Sequence, residues 1–209
     1  MKQTRQGLLL VVSGPAGVGK GSINNALIKR NSNIRMSVSA TTRAPRPGEI
    51  NGVHYFFKSE EEFEKMIGEG AFLEYMRVFN THYYGTPKSF VEQELREGRS
   101  VVLEIDVQGA MRVKEAYPDA VLIFIAPPSM SELKTRLIGR GTESAQAVER
   151  RFATAYRELE YIEKYDYIVV NDILDRAIAR VEDIISAERC RCVRNGELIE
   201  KLSGGREKL

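Results

Sequence analysis

Gly14 to Ser22 read GPAGVGKGS, directly after the apolar run Leu8 to Val12 and directly before Ile23, Ala26 and Leu27 at helical spacing. A strand, a glycine-rich loop and a helix in that order turn backbone N–H groups inward as an anion nest. The helix N-terminus aims at the same point, and Lys20 adds a mobile full charge. The chemistry expected is that of a polyphosphate site built from Gly14, Pro15, Ala16, Gly17, Val18, Gly19, Lys20, Gly21 and Ser22. The strict pattern GxxxxGK[ST] holds at Gly14, Gly19 and Lys20 and fails at Gly21, with the hydroxyl arriving one place late at Ser22. Magnesium is therefore expected to be held differently here, through water. The competing reading, a glycine-rich turn kept for close packing, is disfavoured by Lys20 and by the strand and helix on either side.

Other residues of matching chemistry follow. Arg43 and Arg46 are separated by a stiff Ala-Pro spacer, and two guanidinium groups held close bind a phosphate bidentately, better than lysines would. Alone, that segment also reads as a solvated charged loop. Between Phe72 and Pro87, Glu74 stands among apolar residues, with Tyr83, Tyr84 and Thr86 around a glycine turn; a carboxylate there can accept two parallel hydrogen bonds. Glu104 and Asp106 lie two apart, on one side, at the end of the apolar run Val101 to Ile105, where ligands gather in a parallel sheet. One or both are expected to face nucleotide or metal, Asp106 ahead of Glu104. Arg136 and Arg140 share a helix face, and Arg151 follows on the next helix, so that three cations can converge on phosphates; ordinary pairs with Glu132 or Glu143 are the alternative.

Positioning these groups falls to a chain of 209 residues, 43% hydrophobic and 29% charged, enough for one good core with inserted lobes. Against 31 Lys and Arg stand 29 Asp and Glu, a net of +2, so no long-range pull towards nucleic acid or membrane is expected. Leu8 to Val12, Val101 to Ile105, Val121 to Ala126 and Tyr167 to Val170 read as strands buried on both faces. Alternating with helices, they imply an α/β fold: a parallel sheet flanked by helices, with ligands at the carboxyl ends of strands. Ser59 with Glu62 and Ser129 with Glu132 are capping-box spacings, and Thr86 before Pro87 predicts a further helix start, closing at Gly98. A small lobe is expected at about 39–86, where Pro45, Pro47, Gly48, Asn51 and Gly52 interrupt the core pattern, and a hinged lid at about 129–151. The core is left with about 1–38, 87–128 and 152–209.

Leu8 to Val12 is too short for a signal peptide's apolar stretch, and no run approaches the ~20 residues of a membrane crossing. Cys190 and Cys192, two apart in a charged helical tail, read as free thiols in a reducing compartment; His54 and His82 read as loop residues, and no bound transition metal is expected. A cytoplasmic protein is the expectation.

In order after GPAGVGKG come SVSATTRAPRPGE, NGVHYFF, FLEY, HYYGTP, LEIDVQGA and RLIGRGTE, a series that resembles the guanylate kinase family from about Gly7 to Glu188. That resemblance implies a P-loop core with a GMP-binding lobe and a lid, transferring the γ-phosphoryl group of ATP to GMP with Mg²⁺. Carried over by position, it implies Arg43, Arg46, Tyr55 and Tyr84 on the GMP phosphate and Ser39, Glu74, Thr86 and Asp106 on guanine. It places Lys20, Arg43, Arg136, Arg140 and Arg151 in catalysis and Asn171 near adenine. Guanine presents adjacent N1–H and N2–H donors that fit one carboxylate, whereas adenine offers an acceptor at N1. This sequence departs from the family at Ala16, commonly Ser, and at Glu104, often Asp. The expected small-molecule partners are ATP and GMP or dGMP. Another nucleoside monophosphate kinase is disfavoured by Glu74, and a non-catalytic protein-binding scaffold by the retained Lys20 and lid arginines.

Overall fold

The computed structural model describes residues 6–78, 81–139 and 145–204. In chain order the elements are β1 (Leu9–Ser13), α1 (Lys20–Arg30), β2 (Ile34–Met36), β3 (Ala40–Thr41), β4 (Phe56–Phe57), α2 (Glu60–Gly68), β5 (Phe72–Val78), β6 (His82–Pro87) and α3 (Lys88–Arg96). There follow β7 (Ser100–Glu104), α4 (Val107–Ala116), β8 (Val121–Ala126), α5 (Met130–Gly139), α6 (Ala145–Leu159), β9 (Tyr167–Val170), α7 (Leu174–Cys190) and α8 (Gly196–Ser203).

The main sheet has the order β2-β7-β1-β8-β9 and every pairing in it is parallel. Every residue of β1 and β8 is buried, as the continuous apolar runs require. Alternate side chains serve opposite faces. Leu10, Val12, Ile123 and Ile125 meet Ile23 and Leu27 of α1, Leu133 and Leu137 of α5 and Ile178 of α7. Leu9, Val11, Leu103 and Leu122 meet Val91 and Leu95 of α3 and Val113 of α4. β1 lies between β7 and β8, so successive connections leave it in opposite directions and open a crevice beyond its carboxyl end.

A second sheet, β4-β3-β6-β5, is made by residues 40–87. Its antiparallel hairpin pairs Glu74 with Thr86 and slips register between Phe72 and Glu74. The slip leaves consecutive residues Leu73 and Glu74 both buried, which a regular strand does not do with one face open. Phe63 of α2 is wholly buried and stacked between Phe72, 4.3 Å away, and Tyr83, 5.1 Å away.

The capping box at the start of α2 is complete: Ser59 Oγ accepts the Glu62 N–H at 3.1 Å and Glu62 Oε2 accepts the Ser59 N–H at 2.9 Å. At α5 the Glu132 N–H donates to Ser129 Oγ at 3.1 Å. Thr86 differs from expectation. Pro87, still in the extended region, is the residue that precedes α3, and the Thr86 hydroxyl donates to Glu74 Oε1 at 2.8 Å instead of capping a helix. His82 also differs, opening β6, whereas His54 lies in the loop before β4 and accepts the Ile50 N–H on Nδ1.

The tail is tied down. Glu188, 2% exposed, accepts from Tyr167 Oη at 2.7 Å, from Arg194 at 3.1 Å and from Arg191 at 3.3 Å, and Arg194 also donates to the Asp119 carbonyl. Cys190 and Cys192, both exposed and free, flank the end of α7. Among the described residues no helix is long and apolar enough to cross a membrane.

Burial pushes the Glu188 carboxyl up, but the bonds from Tyr167, Arg194 and Arg191 outweigh it and hold the group below the ordinary value of 4.5. A depressed carboxyl contributes stability above its unfolded pKa and loses it as pH falls. Glu188→Ala is expected to cost about 2 kcal/mol and lower Tm by about 4–8 °C near neutral pH. The difference should shrink below about pH 4.5, as followed by thermal melts across that range.

Candidate active site

The loop between β1 and α1 takes positive φ at Gly14, Gly17 and Gly19. Gly19 is required twice over: its φ is +98°, and a methyl group there would lie 2.4 Å from Asn171 Nδ2. Lys20 folds back over the loop, donating from Nζ to the carbonyls of Gly14 at 2.5 Å and Pro15 at 3.1 Å. Ala16, Gly17, Gly19, Lys20, Gly21 and Ser22 line a hollow of about 450 Å³, whose far wall is Glu104.

A second cleft, about 240 Å³, opens between the two sheets and is lined by Ser39, Tyr55, Glu74, Tyr84, Glu104 and Asp106, with Met76, Val78, Gly85 and Ile105 as its apolar parts. Glu104 thus belongs to both hollows. It ends β7, and its Oε2 accepts from Asn24 Nδ2 at 2.8 Å. Asn24 is fully buried on the inner face of α1 beside Ile23 and Leu27, a polar residue on an apolar face, which is the one sequence signal for its task. Asp106 is not in the strand but precedes α4 as its cap, accepting the Gly109 N–H on Oδ1 at 2.8 Å.

Glu74 is 7% exposed. Burial pushes its carboxyl above the ordinary range; the Thr86 hydroxyl opposes this, Asp106 adds to it, and Arg112 draws it back. Arg43 is oriented by Glu49, an acid that its own loop sequence does not single out. Its Nη2 donates to both Glu49 oxygens, at 2.8 and 2.9 Å, while Glu49 Oε2 also accepts the Arg46 N–H at 2.7 Å. Arg43 lies 5.4 Å from the Tyr55 ring, which meets Tyr84 edge-on at 6.0 Å. The Arg46 side chain is exposed.

Arg136 makes the pair with Glu132, at 3.0 Å, and also donates to the Asn171 carbonyl at 3.0 Å, which draws α5 to the end of β9. Asn171 is buried, and its side chain turns to the phosphate loop, donating to the Val18 carbonyl at 2.8 Å. Arg151 is exposed on α6, and Arg140 lies outside the described residues. α6 brings one further group: Glu158, whose electrostatic neighbours are Lys20 and Asp106. Nothing in the local sequence distinguishes it from the other charges of an amphipathic helix.

The guanylate kinase family profile matches residues 6–188. The guanylate kinase of Caldanaerobacter subterraneus subsp. tengcongensis is 55% identical over 202 residues, covering 97% of this chain and 98% of that one. That of Halalkalibacterium halodurans is 49% identical, covering 95% and 96%. The crystal structure of guanylate kinase from Anaplasma phagocytophilum matches with a TM-score of 0.77 at 33% identity, covering 98% of both chains.

Burial pushes Glu158 up to about 7, with Lys20 pulling it down and Asp106 pushing it up. A carboxyl raised above its unfolded value of 4.5 favours the fold while protonated; that contribution is complete below 4.5 and is lost as pH rises through about 7. Glu158→Gln, neutral throughout, escapes this loss. Between about pH 5 and about pH 8 the Tm of the unmodified protein should fall by about 2–4 °C relative to the variant. Parallel melting curves would show a carboxyl that titrates normally.

Proposed function

This chain belongs to the guanylate kinase family, phosphoryl transfer from ATP to GMP is its activity, and on that premise we propose how its residues divide the work. The observation that carries the reading is the wall shared by the two hollows. With Glu104 lining both, a nucleotide in the loop hollow and one in the inter-sheet cleft meet at the same carboxylate.

ATP lays its phosphates over Gly14 to Ser22, where inward N–H groups, the α1 N-terminus and Lys20 receive them. Lys20 gives up two carbonyl partners to do so. The family resemblance assigns Asn171 a place near the adenine, and its side chain braces the loop through Val18. GMP enters the cleft with its phosphate towards Arg43, Arg46, Tyr55 and Tyr84 and its base towards Ser39, Glu74, Thr86 and Asp106. Thr86 takes one face of the Glu74 carboxylate and orients the rest for the N1–H and N2–H donors of guanine. A site built on such pairing can reject a mismatched base by roughly 10⁴-fold, because a buried acceptor would be left facing an acceptor.

In the reaction an oxygen of the GMP phosphate bonds to the γ-phosphorus while the bond to the ADP oxygen breaks. The attacking oxygen is already anionic, so no proton has to be removed. Positioning and charge neutralisation remain, and these are assigned to Lys20, Arg43, Arg136, Arg140 and Arg151, with the lobe at about 39–86 and the lid at about 129–151 closing on the core. Oxygen donors, which Mg²⁺ prefers, stand beside the loop in Glu104 and Ser22. Glu104 would hold the ion through water, and it would neutralise the β- and γ-phosphates. The same reading makes the protein cytoplasmic, in keeping with its two exposed free thiols.

ADP release with ATP, Mg²⁺ and each of GMP, AMP, UMP and CMP tests the reading, and turnover preferring any base but guanine overturns it. Lys20→Ala is expected to lower kcat by roughly 10²-fold or more with the fold intact. Glu74→Gln puts an amide donor where guanine has one, so kcat/KM for GMP should fall at least ~10-fold and up to several hundredfold, with KM for ATP hardly moved.

A further inference from the structure

Gly109 is a glycine that the backbone does not ask for. It is the third residue of α4, and its φ is not positive, so alanine would suit the helix better there. What a side chain there would crowd lies across the seam between the two sheets. A methyl group on Gly109 would sit 3.3 Å from Glu74 Oε2, 3.3 Å from Ile105 Cδ1 and 3.4 Å from Asp106 Oδ1. Two carboxylates therefore converge on this one Cα from different elements, one from β5 and one from the cap of α4.

Each is oriented by a hydrogen bond. Thr86 donates to Glu74 Oε1, and the Gly109 N–H donates to Asp106 Oδ1, both at 2.8 Å. One turn further along α4, Arg112 donates to the Tyr75 carbonyl, so the helix is laid along β5 at this point. Bringing like charges together is costly, and the missing side chain permits it.

We propose that Gly109 is a positioning residue for base selection: its bare Cα lets α4 and β5 close until Glu74 and Asp106 both face the exocyclic amino group of the purine. The proposal rests on the reading that these two carboxylates recognise guanine. That amino group has two hydrogens, and a single carboxylate that also takes N1–H can use only one. A second acceptor on the opposite side takes the other. A side chain at 109 would push Glu74 off α4, and the hydrogen bond to the amino group would be the first to break.

Hypoxanthine has the same N1–H and no amino group, so IMP is the probe. Gly109→Ala, Glu74→Gln and the unmodified protein are compared for kcat/KM with GMP and with IMP, for KM of ATP, and for Tm. In Gly109→Ala the ratio of GMP to IMP efficiency should drop about tenfold, with KM for ATP within about twofold and Tm unchanged or higher. A ratio unmoved in Gly109→Ala but lowered in Glu74→Gln overturns the role of Gly109 and leaves the assignment of Glu74 standing. A ratio unmoved in both overturns the two together. Loss of the fold in Gly109→Ala also overturns the proposal, since the glycine would then serve packing.

Discussion

One strand, paired in parallel on both edges and buried on both faces, constrains everything else in the molecule. From Leu9 to Val12, β1 can carry no working side chain, because each of these positions is committed to one of two cores. Its neighbours run the same way, so polar residues that follow the strands emerge at a single edge. Gly14 comes directly after β1, Glu104 ends β7 with Asp106 just beyond, and Asn171 follows β9. Groups from residues 14 to 171 thereby meet without any long polar excursion through the interior. Glu74 is the exception, brought in sideways by the second sheet and held at the seam by α4.

The charged groups at this edge are partnered before any ligand arrives. Lys20 rests on carbonyls, Arg43 on Glu49, Arg136 on Glu132 and Asn171, Glu104 on Asn24, and Asp106 on the Gly109 amide. Such partners fix direction at low entropic cost, since a side chain already held loses less freedom when it binds. They also mean that binding exchanges bonds and does not simply add them. The exchange is dearest at Glu74, where the carboxylate is out of water.

Most of the core was legible in the sequence because its signal is continuous. Val101 to Ile105, Val121 to Ala126 and Tyr167 to Val170 are apolar runs that read as strands without context, and they fall on β7, β8 and β9 to within a residue; β9 departs from the expectation of burial on both faces, because it is an edge strand and its Ile168 is 53% exposed. The phosphate loop was equally plain. The second sheet was not, since β3 and β4 are two residues long and have no period to detect. Thr86 escapes local reading for a physical reason: before a proline, a hydroxyl suggests a cap, and only the register that sets it opposite Glu74 gives it a better partner. The residues that position others were hardest to see. Glu49 is one acid in a charged loop, Asn24 one polar residue in a helix and Gly109 one small residue in another, and each acquires meaning only from a neighbour distant in sequence.

Asn171 joins two parts of the molecule through its two ends. Its carbonyl is held by Arg136 from α5, and its side-chain amide holds the Val18 carbonyl in the phosphate loop. The bond to Val18 is buried and the bond from Arg136 is part-buried, so one residue connects α5 with the loop. Coupling of this kind is reciprocal. Whatever free energy a filled loop contributes to holding α5 against the sheet, α5 so held returns to the filled loop. The side chain that braces the phosphate cradle is thus also a transmission rod, carrying occupancy outward and helix position inward with equal weight.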